Sequence, residues 1–281
     1  MLVKGLISGI KRMEIHDGDG LRTTVFFKGC PLKCIWCHNP ESISFEKQIA
    51  FYKEKCIGCG MCRNEKTEKT AKNCPADAQI LYGREYEVDE MISEVLKDEM
   101  FFKNGDGGVT LSGGECLAQS VFAVETAKKL AKKNISVYVD TCGFVNRKVF
   151  DRIIPYIDKF LYDIKAIDED VHKKCTGQEN SVILDNLKYL SEKGCSIEIR
   201  YPFVKGYNDN QCEKIGEFLK NLNGITKVKV LQYHNFAASR YDALGMKNTL
   251  PFGETTFEDV ENATQMLKRL GLNAINGISE S

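Results

Sequence analysis

The chain reads as an α/β protein, a partial (β/α)6 barrel (open, TIM-like) interrupted by one small cysteine-bearing insert. Three observations carry this. Strand-like and helical runs alternate from about residue 88 onward, glycines and polar residues fall just after the strand-like runs, and residues 45–87 break the rhythm with four cysteines. Repeated strand–helix units of this length imply parallel strands joined by helical crossovers. Such folds place their active sites at the strand ends, where the punctuation sits. A doubly wound sheet has the same periodicity and stays open as an alternative.

Taken in order, Thr24–Phe27 is an apolar strand running into a group of three cysteines, so residues 1–44 open the barrel. Residues 45–87, with a Lys- and Glu-rich loop at 64–73, read as an inserted cofactor module, and 88–281 as the remainder. Val88–Asp98 is the helix that follows the insert. Val109–Ser112 is a strand ending in Gly113-Gly114. Leu117–Lys133 follows as helix, with Val121, Val124, Ala127, Leu130 and Ala131 at helical spacing. Ile135–Val139, Phe160–Ile164, Ser196–Tyr201 and Lys227–Tyr233 are further strands. Lys148–Ile157, Asn180–Lys193, Asp209–Asn221 and Phe257–Leu270 are the helices between and after them. About six strand–helix units result, fewer than the eight of a closed barrel.

The 281 residues fit one large domain or a domain with a small insert. Lys+Arg and Asp+Glu are both 39, which gives no electrostatic reason to bind nucleic acid or an anionic membrane. No apolar run approaches the ~18 residues of a membrane span. Met1–Gly5 lacks signal-peptide order, so the cytoplasm is the expected location. Twelve cysteines are too sparse for a disulfide scaffold in a chain this long. Seven of them fall between Cys30 and Cys74, and clustered thiols in a cytosolic chain read as metal ligands or redox groups.

Cys30, Cys34 and Cys37 form a C-x3-C-x2-C loop directly after a strand. Three thiolates on one short loop can bind three irons of a cubane cluster and leave the fourth open, as catalytic metal sites require. A zinc knuckle borrowing His38 is the alternative. Cys56, Cys59 and Cys62, with Cys74-Pro75 further on, form a C-x2-C-x2-C group with a distant fourth cysteine. Ferredoxins use C-x2-C-x2-C-x3-C-P, so the insert reads as ferredoxin-like with a stretched spacer and one [4Fe–4S] cluster. A structural zinc site, or a loop that leaves Cys74 unligated, stays open. Ser112-Gly113-Gly114-Glu115, Asp140-Thr141-Cys142-Gly143, Asp163-Ile164-Lys165, Arg200 and His234 gather at successive strand ends, toward one mouth. Two glycines let a backbone approach a ligand closely. Lys165 can pair with a carboxylate, and Asp140 with Asp163 suggests a ribose or cation contact. No Ser–His–Asp or Cys–His set stands out, so no side chain is assigned a catalytic acid, base or nucleophile.

The stretch Ile15-His16-Asp17-Gly18-Asp19-Gly20-Leu21-Arg22-Thr23, then Val25–Cys30 and Cys34-Ile35-Trp36-Cys37-His38-Asn39-Pro40, resembles the N-terminal signature of the radical S-adenosylmethionine (SAM) enzymes that activate glycyl radical enzymes. Later landmarks match in order to about Tyr241. The resemblance implies a [4Fe–4S] cluster on Cys30, Cys34 and Cys37 that binds SAM. Reductive cleavage would then give methionine and a 5′-deoxyadenosyl radical that takes a hydrogen from a glycine of the partner enzyme. It also implies SAM contacts from Gly113, Gly114 and Glu115 to the amino group, from Lys165 to the carboxylate, and from Asp140, Asp163, Ile164, Arg200 and His234. Trp36, Cys37 and His38 would lie by the adenine, and Asp17 would meet the partner's glycine loop. A low-potential electron donor such as flavodoxin or ferredoxin, and a monomeric state, are further expectations. Asp19 and Lys205 depart from the family's usual prolines, and Cys116 stands where many members carry proline. The rival readings are a radical SAM enzyme acting on a small molecule or another peptide, and a non-catalytic electron carrier.

Overall fold

In a computed structural model of the chain, residues 2–63, 65–103, 107–247 and 255–278 are described. The first elements are β1 (Lys4–Glu14), β2 (Arg22–Phe27), β3 (Gln48–Phe51), α1 (Glu68–Lys72), β4 (Gln79–Tyr82) and β5 (Arg84–Glu87). Next come α2 (Val88–Val95), α3 (Glu99–Lys103), β6 (Gly108–Gly113), α4 (Ser120–Ala131), β7 (Ser136–Thr141) and α5 (Arg147–Ile153). The rest are β8 (Lys159–Asp163), α6 (Glu169–Thr176), α7 (Ser181–Glu192), β9 (Ile197–Phe203), α8 (Cys212–Leu219), β10 (Ile225–Gln232), α9 (Ala238–Ala243), α10 (Phe257–Arg269) and β11 (Ala274–Asn276).

The large sheet runs β11-β10-β9-β8-β7-β6-β2-β1-β5, and β3 pairs β4 in a sheet of their own. From β2 through β6 to β10 neighbouring strands are parallel and stand in chain order. A doubly wound sheet reverses its order at a switch point, and none occurs here. Crossovers of one hand therefore put the helices on one side and curl the sheet into a barrel sector. These strands are the six units that the sequence predicts. β11 adds a parallel strand beyond β10, while β1 and β5 add antiparallel ones at the opposite edge. The two edges do not pair among the described residues, so the barrel is open.

Alternation along the strands separates the fold's core from its interior. Val109, Leu111, Val137, Val139, Ile199, Tyr201, Val228 and Val230 are buried and join one cluster with Phe122, Leu130, Leu187 and Ile215 of the helices. Burying one such side chain is worth about 1.5–3 kcal/mol, so this convex side holds the molecule together. The residues between them (Thr110, Ser112, Asp140, Glu198, Arg200, Lys229) turn to the concave side and are polar. The β1–β2 loop folds into that concavity: Thr110 Oγ1 donates to the Asp17 carbonyl (2.7 Å) and Arg200 Nη2 to the His16 carbonyl (2.8 Å).

Candidate active site

One cavity of about 750 Å³ opens at the C-terminal ends of the parallel strands. Cys30, Cys34, Trp36, Cys37 and His38 line it from the loop after β2, and Gly113, Gly114, Asp140, Asp163, Lys165, Arg200 and His234 from the successive strand ends. The cysteine loop is held from three sides. Gly114 N–H donates to the Phe27 carbonyl (2.9 Å) and Glu115 N–H to the Gly29 carbonyl (2.8 Å), extending the β2–β6 pairing. At the end of α6, the Thr176 and Cys175 carbonyls accept from Lys33 N–H (2.8 Å) and Ile35 N–H (3.0 Å). Trp36 is buried against Cys175, Val204 and Tyr233.

The double glycine serves packing as well as access. A Cβ on Gly114 would lie 2.4 Å from the Gly29 carbonyl oxygen and 2.5 Å from that of Ser42, and Gly113 has φ +112°. Both residues still face the cavity.

Burial pushes the Cys34 thiol up and the Cys37 thiol up to about 12, while Cys30 is held below the usual thiol value, chiefly by a hydrogen bond with Cys142. Metal binding to such a set displaces thiol protons. Lys165 Nζ donates to Asp163 Oδ2 at 2.6 Å. Burial opposes its charge, but Asp163 and the neighbouring sulfurs outweigh that and keep it protonated. Burial likewise opposes the charge of Arg200, which Asp140, Asp17 and Glu198 restore. Its Nη1 lies 3.4 Å from both Asp17 Oδ1 and Asp140 Oδ2, and Ser112 Oγ donates to Asp140 at 2.7 Å. Burial raises the Asp140 carboxyl and Arg200 pulls it back. At the rim His38 stacks on His234 (4.2 Å between ring centres), which meets the exposed Phe236 (4.0 Å). Burial holds the His38 ring neutral, lowering it to about 4.

Three predicted residues stand off the cavity wall. Glu115 is fully buried, and its carboxylate accepts from Thr141 Oγ1 (2.8 Å), Cys142 N–H (2.8 Å) and Leu117 N–H (3.0 Å). It clamps the β7 turn from behind. Ile164 is buried, with its N–H on the Arg200 carbonyl (2.9 Å). Asp17 lies in the floor loop against Arg200. Conversely, Gln232, Phe236, Gly277 and Ile278 line the cavity without a motif that points to them, as do His16 and Ser112 from segments the sequence marks.

The second cysteine group forms a separate, apolar pocket. Cys56, Cys59, Cys62 and Cys74 line about 30 Å³ together with Phe51, Ile57, Met61 and Pro75. Hydrogen bonds from the backbone at Ala76, Gln79 and Ala78 hold the Cys74 thiol below its usual value. β3 and β4 frame this group, while β5 at the end of the segment pairs with β1 in the large sheet.

Residues 24–219 match the radical SAM superfamily. The chain is 40% identical to the trans-4-hydroxy-L-proline dehydratase activating enzyme of Clostridioides difficile, covering 94% of this chain and 95% of that protein. It is 32% identical to the benzylsuccinate synthase activating enzyme of Thauera aromatica (95% and 91% covered). Among solved structures, a domain of the pyruvate-formate lyase-activating enzyme from Bacteroides vulgatus superposes with a TM-score of 0.52 at 26% identity, over 60% of this chain and 98% of that one. SuiB of Streptococcus suis bound to S-adenosylmethionine shares the fold (TM-score 0.55, 17% identity, 88% of this chain and 47% of that one). The chain belongs to the radical SAM superfamily, and its chemistry is that of a [4Fe–4S] cluster with SAM. Within that superfamily it belongs to the activating enzymes of glycyl radical enzymes.

Proposed function

We propose that Cys30, Cys34 and Cys37 hold the cluster of this activating enzyme and that SAM occupies the cavity beside them. The observation that carries this is the convergence, on one cavity, of three thiols from one loop with a Lys–Asp pair and an Arg–Asp pair at successive strand ends. The donor set suits the group: three sulfurs from one short loop and a neighbouring lysine, with the nearby Cys142 thiol donating instead to Glu115 at 3.0 Å. When bound, cluster and cofactor supply the reductive cleavage that generates a carbon radical for hydrogen abstraction from the partner's glycine.

The protein's own residues bind and orient. Lys165 presents an ammonium to the methionyl carboxylate, with Asp163 fixing its direction. Gly113 and Gly114 offer backbone to the amino end, and Glu115 acts from behind by holding the Thr141–Gly143 turn. Asp140 and Arg200 face the ribose side, Ile164 contributes backbone, and Trp36, His38 and His234 flank the adenine. Asp17 and the floor loop face the incoming glycine loop of the partner glycyl radical enzyme. Cys56, Cys59, Cys62 and Cys74 hold one auxiliary [4Fe–4S] cluster in a ferredoxin-like insert at 45–87, between barrel segments 1–44 and 88–281. A low-potential flavodoxin or ferredoxin supplies the electron. The enzyme works as a monomer in the cytoplasm, where thiols stay reduced.

The test is the EPR spectrum of anaerobically reconstituted, reduced protein before and after SAM. A signal that shifts with the cofactor supports the assignment. Loss of that response in Cys34→Ala, with the fold retained, ties it to this loop. A wild-type signal indifferent to SAM removes it.

A further inference from the structure

The loop that carries Cys30, Cys34 and Cys37 is anchored on its outer side by α9. Tyr241 is buried, and its hydroxyl donates to the Cys37 carbonyl at 3.1 Å. The preceding residue, Arg240, donates from Nη1 to Glu41 Oε1 at 2.8 Å and reaches Asn39 Oδ1 at 3.4 Å. Glu41 belongs to the 3-10 turn Pro40–Ser42, which closes the loop on itself. Gly29 N–H donates to the Ser42 carbonyl (2.8 Å) and Cys30 N–H to that of Ile43 (3.0 Å). Two adjacent residues of one short helix therefore hold the far end of the loop directly and its near end through the Glu41 turn.

The helix is itself wedged in place. Ala243 and Leu244 pack on Ala50 and Tyr52, with Ile80 and Tyr82 alongside, so β3 and β4 buttress α9 from behind. Lys28 completes the tie by donating to the Glu41 carbonyl (2.6 Å) and to Gln48 Oε1 at the start of β3 (2.8 Å).

We propose that Arg240 and Tyr241 are positioning residues for the cysteine loop, setting the orientation of Cys37 toward the cluster and so the cluster's response to SAM. This rests on the assignment of Cys30, Cys34 and Cys37 as cluster ligands. Neither residue lines the cavity. Both act through the Cys37 carbonyl and the Glu41 turn, as outer partners fix the groups that bind metals.

The full chain is reconstituted with iron and sulfide as wild type, Tyr241→Phe, Arg240→Gln and Arg240→Lys. Tyr241→Phe keeps the buried ring and removes one oxygen, so it folds and reports on that hydrogen bond alone. The expected result is near wild-type iron content and KM for SAM, a changed SAM-bound EPR spectrum, and a kcat for SAM cleavage lowered about tenfold. Arg240→Lys, which keeps the pairing with Glu41, recovers part of what Arg240→Gln loses. Variants that lower only the melting temperature, with wild-type spectra and kcat, overturn the proposal. If Arg240→Gln does not fold, Tyr241→Phe decides. A wild-type protein without a SAM-responsive signal overturns the ligand assignment itself, and the positioning role goes with it.

Discussion

Gly114 illustrates how much one residue carries. Its missing side chain lets two backbone carbonyls, those of Gly29 and Ser42, close on the strand that ends in Gly113. Gly114→Ala is expected to lower unfolding stability by about 1–3 kcal/mol, the usual cost of overpacking, and to reduce iron uptake by displacing the cysteine loop. Denaturant melts of the metal-free protein and iron analysis check both. Asp19, which replaces the family's usual proline, accepts from Lys159 and from the Tyr138 hydroxyl (3.0 Å). Burial opposes its charge, but Lys159 and Tyr138 outweigh it and hold the carboxyl below its usual value. A carboxyl lowered in the folded state adds stability above the unfolded value near 3.9, and that contribution is lost as pH falls through the folded one. Asp19→Asn is therefore expected to melt earlier than wild type at pH 7, with the gap closing toward pH 3. The residue was visible in the sequence as a departure. Its partners, 119 and 140 positions away, were not.

Among the elements, the sheet edge that the sequence left unread is held by the β1–β2 and β1–β5 ladders and tied further by one glutamine. Gln119, just before α4, accepts from Leu6 N–H (2.7 Å) and donates to the carbonyls of Leu6 and Lys28 (both 2.8 Å). It stitches β1, interrupted by register shifts, to the end of β2. Gln119→Ala strands Leu6 N–H and the Lys28 carbonyl, while the Leu6 carbonyl keeps Lys28 N–H (2.9 Å), and is expected to cost about 2–4 kcal/mol; Gln119→Glu, which sets a carboxylate oxygen against both carbonyls, costs no less. Thermal and urea melts rank the two. The six parallel strands and the longer helices were legible because apolar spacing and glycine punctuation agree there. β1, α6 and β11 were not: β1 mixes Gly, Lys and Ser with apolar residues, α6 is a largely polar octet, and β11 has three residues. Such segments take their conformation from neighbours, as β11 does from β10. The predicted helices end in tighter 3-10 turns at Leu96–Asp98, which leads directly into α3, and at Ile154–Tyr156, which contains Pro155.

For the whole molecule, the two cysteine groups line separate cavities, one at the barrel mouth and one beside β3 and β4. Cys74→Ser is accordingly expected to remove roughly half the bound iron while leaving a SAM-responsive EPR signal, and Cys30→Ser to abolish that signal. An unchanged iron content in Cys74→Ser would take that residue out of the ligand set. Described helices include none long and apolar enough to cross a membrane. The sequence by itself determined the α/β alternation, the order of the strand ends and the chemistry gathered at them, because each is written in spacing and residue type over a few positions. Only the tertiary structure decided the singly wound order that opens the barrel, the withdrawal of Glu115 behind the wall, the floor loop under Arg200 and the α9 clamp on Cys37. Those depend on contacts between residues far apart in the chain, where geometry is set by what packs together and spacing carries no record of it.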